Sequence, residues 1–402
     1  MRDWLRRHDP GRVFIETPRE SLTFGEIADA VDERPVNGTE VLHPGLDVGS
    51  VIDLLAVMAK GSAVITGDIV GTGEIDTGSV DPAGAVSVLF TSGSTGGRKG
   101  VRLTGDNWEA AAEASMKHVG HGPADTWLLA LPLHHVAGLS ILVRSAYSGG
   151  AVRLLPGFDP VSYAAELRQG VTIASLVPTM LGRVLEVDPR PYDGLRSVLL
   201  GGGPIPDRLL DRAGGAELPV LPTYGLTETA GQVATLKPGA PLENKAHPLP
   251  GVSLRIEPDQ RIAVRGPMVS RGYVGEPDRD VEDWLLTGDL GIIDSEGALW
   301  VTGRADTIIV SGGENIDPAL VEAALAQVAG VDDALVAGVA SDRWGMETVC
   351  LYVGEANPVN VEAELRGLLP AFMIPKRWLQ VAELPMTPMG KLDRAEAVRR
   401  FN

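Results

Sequence analysis

Ten consecutive residues, Thr91-Ser92-Gly93-Ser94-Thr95-Gly96-Gly97-Arg98-Lys99-Gly100, follow directly on an apolar run, Val86 to Phe90, that reads as a buried strand. Hydroxyl side chains and four glycines let hydroxyl oxygens and backbone N–H groups converge on phosphate oxygens, and Lys99 adds a compact positive charge. The loop is not the P-loop of ordinary NTPases, because Lys99 is followed by Gly100 instead of Ser or Thr and the glycine spacing differs. A Gly/Ser-rich linker is the alternative, but linkers rarely sit between a strand and an apolar segment.

Such a loop needs a sheet to carry it. Short apolar runs with turn residues at their ends recur at Thr126 to Ala130, Ala151 to Leu155, Thr172 to Val177 and Val198 to Leu200, with helical stretches such as Trp108 to His118 and Val161 to Gln169 between them. Around Val252 to Arg265 and Gly291 to Val301 the pattern becomes short strands parted by Asp-Gln and Glu-Gly turns, which suits an antiparallel section. After Asp306 a new plan begins. Asp317-Pro318 starts a helix with a capping residue and a first-turn proline, and Leu320, Val321, Ala324, Leu325 and Val328 form its expected buried stripe. Strands over Ala334 to Val339 and Thr348 to Val353 and a helix over Val361 to Leu369 follow. The expected fold is α/β: a large N-terminal domain, residues 1–305, of parallel-rich sheets with helices plus a small barrel-like section, then a small α+β C-terminal domain, residues 306–402.

Composition narrows the partners. Acidic side chains number 53 against 35 basic ones, a formal net charge of −18, so the field around the chain argues against nucleic acid. With 44% hydrophobic and 22% charged residues the chain can bury a large core. No apolar run approaches the roughly 20 residues of a membrane span. Cys350 is the single cysteine, so no intramolecular disulfide forms, and Met1-Arg2-Asp3-Trp4 leads into polar sequence; a cytoplasmic location is expected.

With its loop at Thr91 to Gly100 the chain resembles the adenylate-forming superfamily of acyl- and aryl-CoA synthetases, luciferases and peptide-synthetase adenylation domains. The resemblance recurs in order at Leu131-Pro132-Leu133-His134-His135-Val136-Ala137-Gly138, Gly201-Gly202-Gly203-Pro204, Thr223-Tyr224-Gly225-Leu226-Thr227-Glu228-Thr229, Thr287-Gly288-Asp289, Gly303-Arg304-Ala305-Asp306 and Pro388-Met389-Gly390-Lys391. It implies ATP, Mg2+ and coenzyme A as cofactor and co-substrates. It also implies that Thr91, Ser92, Gly93, Ser94, Thr95, Gly96, Lys99, Gly201, Gly202, Gly203, Tyr224, Gly225, Thr227, Asp289, Arg304 and Lys391 meet the nucleotide. His134, His135, Gly138, Leu139, Gly225 and Leu226 would form the acyl pocket, with His135 matching the family histidine and His134 replacing the usual aromatic. By the same resemblance the C-terminal domain is mobile, Asp306 is its hinge, and Gly312, Gly313 and Glu314 line the tunnel for the thiol arm.

These residue types suit the chemistry. A carboxylate is a poor electrophile; attack on the α-phosphorus of ATP converts it to an acyl-adenylate, and the crowded negative charge calls for donors and cations. Glu228 suits Mg2+, a hard cation that prefers carboxylate oxygen. Tyr224 offers a flat face for adenine, Asp289 can accept from ribose hydroxyls, the Arg304 fork can reach ribose or phosphate, and by the resemblance Lys391 would touch the substrate carboxylate and the α-phosphate. Each also has a plainer use: Glu228 at the first turn of a helix, Asp289 at the end of a strand, Arg304 in a surface ion pair, Lys391 in a solvated tail, and either histidine as a packed core residue.

The short segment before Thr91, the stretch His134 to Ser140 and the run Ser311 to Pro318 resemble the o-succinylbenzoate-CoA ligases of menaquinone biosynthesis, while Arg98 stands where proline is usual. An ATP-dependent ligase joining o-succinylbenzoate to coenzyme A is therefore expected, ahead of a CoA ligase for another aromatic or short-chain carboxylic acid. An amino-acid adenylation unit usually holds the substrate ammonium with an aspartate in the segment matching Leu133 to Val136, which here has two histidines and no acid. A non-catalytic nucleotide-binding protein fits poorly with Lys391, Glu228 and Arg304 all present. Arg144, Arg153 and Arg196 are the candidate cations for the second carboxylate. The sequence does not give the oligomeric state; a homodimer is common among such folds, which is analogy alone.

Overall fold

The computed structural model describes residues 2–66, 84–91, 99–386 and 392–401. Ser92, Gly93, Ser94, Thr95, Gly96 and Lys391 lie outside the described residues.

The expected apolar runs become strands of one nine-stranded sheet, in the order His247–Pro248, Gly231–Thr235, Val220–Leu226, Ser197–Leu200, Ile173–Leu176, Thr126–Leu129, Ala151–Leu154, Val13–Glu16 and Ser21–Thr23. From Val220–Leu226 to Val13–Glu16 every neighbour is parallel. Helices cover these strands, which explains their unbroken apolar character. The helix Gly105–Val119 starts earlier than the sequence suggested, because Thr104 and Asn107 form a reciprocal capping box ahead of Trp108. The helix Pro160–Leu167 is capped by Asp159.

The strand leading into the glycine-rich loop, Ser87–Thr91, belongs to a second sheet with Glu40–Val41, Val64–Thr66 and Lys99–Leu103. It pairs antiparallel with Lys99–Leu103, and Thr91 stands opposite Lys99. Both ends of the loop are thereby fixed on adjacent strands. One large hydrophobic cluster, including Leu89, Val101, Trp108, Leu128 and Leu199, joins the two sheets and their helices.

The antiparallel section is a four-stranded sheet in the linear order Ser253–Ile256, Arg261–Arg265, Leu285–Ile293 and Leu299–Arg304. Leu285–Ile293 is longer than expected, so Asp289 sits in mid-strand instead of in a Gly-Asp turn at its end. A further sheet holds Ile309–Ser311, Glu314–Ile316, Val331–Ser341, Gly345–Gly354 and Arg377–Gln380. Its cores, around Val321, Leu325 and Tyr352 and around Leu335, Val349 and Leu351, are separate clusters. Asp317 caps the helix Pro318–Leu325 as expected. Leu320 does not join its stripe: it is 49% exposed, while Val321, Ala324, Leu325 and Val328 are buried. Spacings of three and four residues complete one helical face, and Leu320 falls beside it.

Among the described residues no helix is long and apolar enough to cross a membrane.

Candidate active site

Strand Val220–Leu226 is the axis of the site, because Tyr224 and Gly225 lie on it and Glu228 follows in the short 3-10 turn Thr227–Thr229. Its own hairpin partner requires glycine: a Cβ on Gly225 would stand 2.0 Å from the Gly231 carbonyl oxygen. The glycine turn after Ser197–Leu200 lies alongside, where a Cβ on Gly201 would come 2.6 Å from the Thr223 oxygen, and Gly202 has φ +80°. Gly203 opens onto space, with Pro178 4.0 Å from its would-be Cβ. The motif glycines thus let two backbones approach beside the nucleotide candidates.

Tyr224, Asp289, Arg304 and Asp306 form one hydrogen-bonded chain. The Tyr224 hydroxyl donates to Asp289 Oδ2 at 2.8 Å, and Arg304 Nη1 donates to Asp289 Oδ1 at 2.9 Å. Asp289 and Arg304 are cross-strand neighbours, which is why motifs 15 residues apart meet. Arg304 also grips Asp306 through Nε at 2.8 Å and Nη2 at 2.7 Å. Burial, with the Asp289 charge second, pushes the Tyr224 phenol well above its usual range, so it stays a donor. The bond to Asp306, ahead of the two acid charges, raises the Arg304 guanidinium.

Glu228 and Lys99 meet through a residue the sequence did not single out. The Tyr273 hydroxyl donates to Glu228 Oε1 at 2.8 Å, and Lys99 Nζ lies 4.7 Å from the Tyr273 ring centroid. Tyr273 stands 45 residues from Glu228, and no local spacing announces it. Among the described residues no three or more acidic, histidine or cysteine side chains cluster as a metal cage. That donor set suits Mg2+ brought by nucleotide phosphates and met by one carboxylate, the way Mg2+ is usually held.

The acyl-pocket candidates gather at the start of helix Val136–Ser148, whose N-cap is His135. The His134 and His135 rings are 4.2 Å apart. Gly138 is required, since a Cβ there would stand 2.3 Å from the Pro132 oxygen. Leu139 is wholly buried in the main core, and Leu226 is half-buried. Two turns further on, Arg144 is 4% exposed, and its Nη2 lies 3.1 Å from where a Cβ on Gly231 would stand. Its Nε has no hydrogen-bond partner and, among the described residues, it makes no ion pair. Burial alone lowers its pKa from the usual arginine value. Its neighbours are the Trp127 ring, with the guanidinium 5.8 Å from the centroid, and His121, which burial pushes down to about 3 and so keeps neutral.

The other two candidate arginines have acidic partners. Arg153 is engaged by Glu16 at 2.7 Å and faces Glu166 at 3.5 Å, and Arg196 is held by Asp125 at 2.6 Å. Both guanidinium groups are thus already engaged by acids of the chain itself. On the small sheet, Gly312 and Gly313 turn between Ile309–Ser311 and Glu314–Ile316 with φ +61° and +89°. The Trp344 ring covers Gly312, with Cε3 2.8 Å from its would-be Cβ, while Glu314 is exposed.

The chain matches the AMP-binding enzyme family over residues 51–274 and the AMP-binding enzyme C-terminal domain over residues 320–391. It is 36% identical over 335 residues to a 2-succinylbenzoate--CoA ligase of Listeria monocytogenes serotype 4b, covering 80% of this chain and 71% of that one. It superposes on o-succinylbenzoate CoA synthetase from Bacillus subtilis in complex with the acyl-adenylate intermediate, with a TM-score of 0.83, 28% identity and coverage of 98% and 97%. The same Bacillus subtilis protein with ATP and magnesium ion gives a TM-score of 0.82 at 27% identity, covering 98% of this chain and 99% of that one.

Proposed function

The chain belongs to the AMP-binding enzyme family, and from that premise we propose that it is an AMP-forming acid-thiol ligase for o-succinylbenzoate. The succinyl carboxylate attacks the α-phosphorus of ATP, the bond to the β,γ-phosphates breaks, and pyrophosphate leaves. The coenzyme A thiolate then attacks the acyl carbon and AMP departs. Mg2+, when bound with ATP, neutralises charge on the phosphates.

Arg144 is the single observation that carries the substrate. The acid has a second carboxylate on its ring, which a buried pocket must meet with a cation. Arg144 is a buried guanidinium with no acid beside it among the described residues, next to the Gly225–Gly231 contact, whereas Arg153 and Arg196 are already paired. The ring carboxylate completes it. Support for the amino-acid alternative is missing where it would stand, since Leu133 to Val136 contain no acid.

The other roles follow from chemistry and family position. Lys99 meets the departing pyrophosphate, Glu228 holds Mg2+, Asp289 and Arg304 take the ribose, and Lys391 stabilises charge at the α-phosphate. The boundary falls at Asp306, separating a core of residues 1–305 from a mobile lid of residues 306–402. In favour of it, hydrogen bonding of the antiparallel sheet stops at Arg304 and the next strand, Ile309–Ser311, joins another sheet.

A pyrophosphate-release assay tests the substrate. o-Succinylbenzoate should turn over at least tenfold more efficiently than 4-oxo-4-phenylbutanoate, which keeps the reacting carboxylate and lacks the ring one. Equal efficiencies would remove the assignment to Arg144 and to a diacid.

A further inference from the structure

Tyr273 lies in the connection between Arg261–Arg265 and Leu285–Ile293, outside every recognised motif, yet it touches two of their charged members. Its hydroxyl donates to Glu228 Oε1 at 2.8 Å, and its ring carries Lys99 Nζ 4.7 Å from the centroid. Lys99 leans toward Glu276 as well, at 3.8 Å, and not toward Glu228.

The backbone around Tyr273 is laced to the same two places. Tyr273 forms an antiparallel bridge with Val101, and the Val274 N–H donates to the Gly100 oxygen at 2.8 Å. The Ser270 N–H donates to the Glu228 oxygen at 2.7 Å. The ring therefore stands on a support tied both to the strand that starts at Lys99 and to the turn that bears Glu228.

A cation and a carboxylate that must both face one polyphosphate have a competing option, which is to neutralise each other. Tyr273 stands between the two charges, giving the acid a hydroxyl donor and the ammonium, which Glu276 also faces, a π face.

We propose that Tyr273 is a positioning residue that presets Glu228 for the metal and Lys99 for the terminal phosphates of ATP. This rests on the function proposed above, and it goes further by separating a metal contact from a phosphate contact on one side chain.

Calorimetric titration of ATP into the full chain, with Mg2+ varied and with divalent ions removed, tests it without turnover. Tyr273→Phe keeps the ring and loses the donor; it should bind metal-free ATP as the wild type does, while the Mg2+ concentration that gives half the metal-dependent gain rises about 10- to 100-fold. Tyr273→Leu loses both contacts and should also weaken metal-free ATP binding about two- to fivefold. On a Glu228→Gln background, Tyr273→Phe should change nothing more. Wild-type Mg2+ dependence in Tyr273→Phe, or losses that add in the double variant, would overturn the role of Tyr273. Wild-type protein that bound no ATP would instead remove the function itself.

Discussion

A guanidinium sealed from water without an acid is costly, and Arg144, which has no acidic partner among the described residues, bears that cost in the free protein. Replacing it with an apolar residue of similar length should therefore separate stability from function. Arg144→Met is expected to melt at or above the wild-type temperature, yet to lose about 10- to 100-fold in kcat/KM for o-succinylbenzoate, the worth of one charge-assisted hydrogen bond. A melting point lowered together with unchanged kcat/KM would assign Arg144 to packing. The sequence could offer three arginines but not choose among them, because the acids that occupy Arg153 and Arg196 are 137 and 71 residues away. Tyr273 was illegible for the same reason, since its partners come from other elements. The motif residues were legible because their spacing along one strand and its following turn is short-range, as with Tyr224, Gly225 and Glu228.

At the scale of elements, the buried parallel strands could be read because each is a continuous apolar run ended by turn residues, from Thr126–Leu129 to Ser197–Leu200. Strand Leu285–Ile293 was harder: Thr287, Gly288 and Asp289 look like a turn, but they sit at a register irregularity within the strand, and Asp289 pairs across to Arg304. Pairing is non-local, so no window of sequence contains it. Leu320 was assigned to the buried side by hydrophobicity alone, whereas the angle around the helix decides. On the same helix Glu322 accepts from the Val336 N–H and from Arg394, both at 2.8 Å. Burial outweighs the Arg394 charge and pushes its carboxyl up to about 7, with Asp333 and Asp317 adding to the rise. A carboxyl raised in the folded state holds a proton there that the unfolded chain has released. Its effect is absent below about pH 4.5, grows as a loss of stability between about pH 4.5 and 7, and is constant above. Melting curves of wild type and Glu322→Gln across that window should therefore diverge, the wild type losing up to about 3 kcal/mol relative to the variant. Parallel curves would mean that Glu322 is ionised at its ordinary value.

For the whole molecule, fold and family were legible because motifs recur in order from Thr91 to Lys391, and their order survives even where residues between them are unremarkable. What order cannot give is the relation between the two parts, since in the proposed mechanism Lys391 comes to a nucleotide bound beside Lys99 and Tyr224, residues far from it in sequence. Lys391→Ala should slow adenylate formation by about 10²- to 10³-fold and spare thioester formation from supplied acyl-adenylate. Asp306→Pro, which stiffens the backbone beside the Arg304–Asp306 pair, should do the reverse. Equal losses in both half-reactions would break the division of labour between core and lid. The most direct test needs no variant: labelled pyrophosphate is incubated with the protein, ATP and Mg2+, with coenzyme A left out, and label entering ATP is measured. Label should enter only when o-succinylbenzoate is present, because a reversible acyl-adenylate then forms in the site; no acid-dependent label in ATP, with the acid saturating, would contradict the adenylation chemistry at its root.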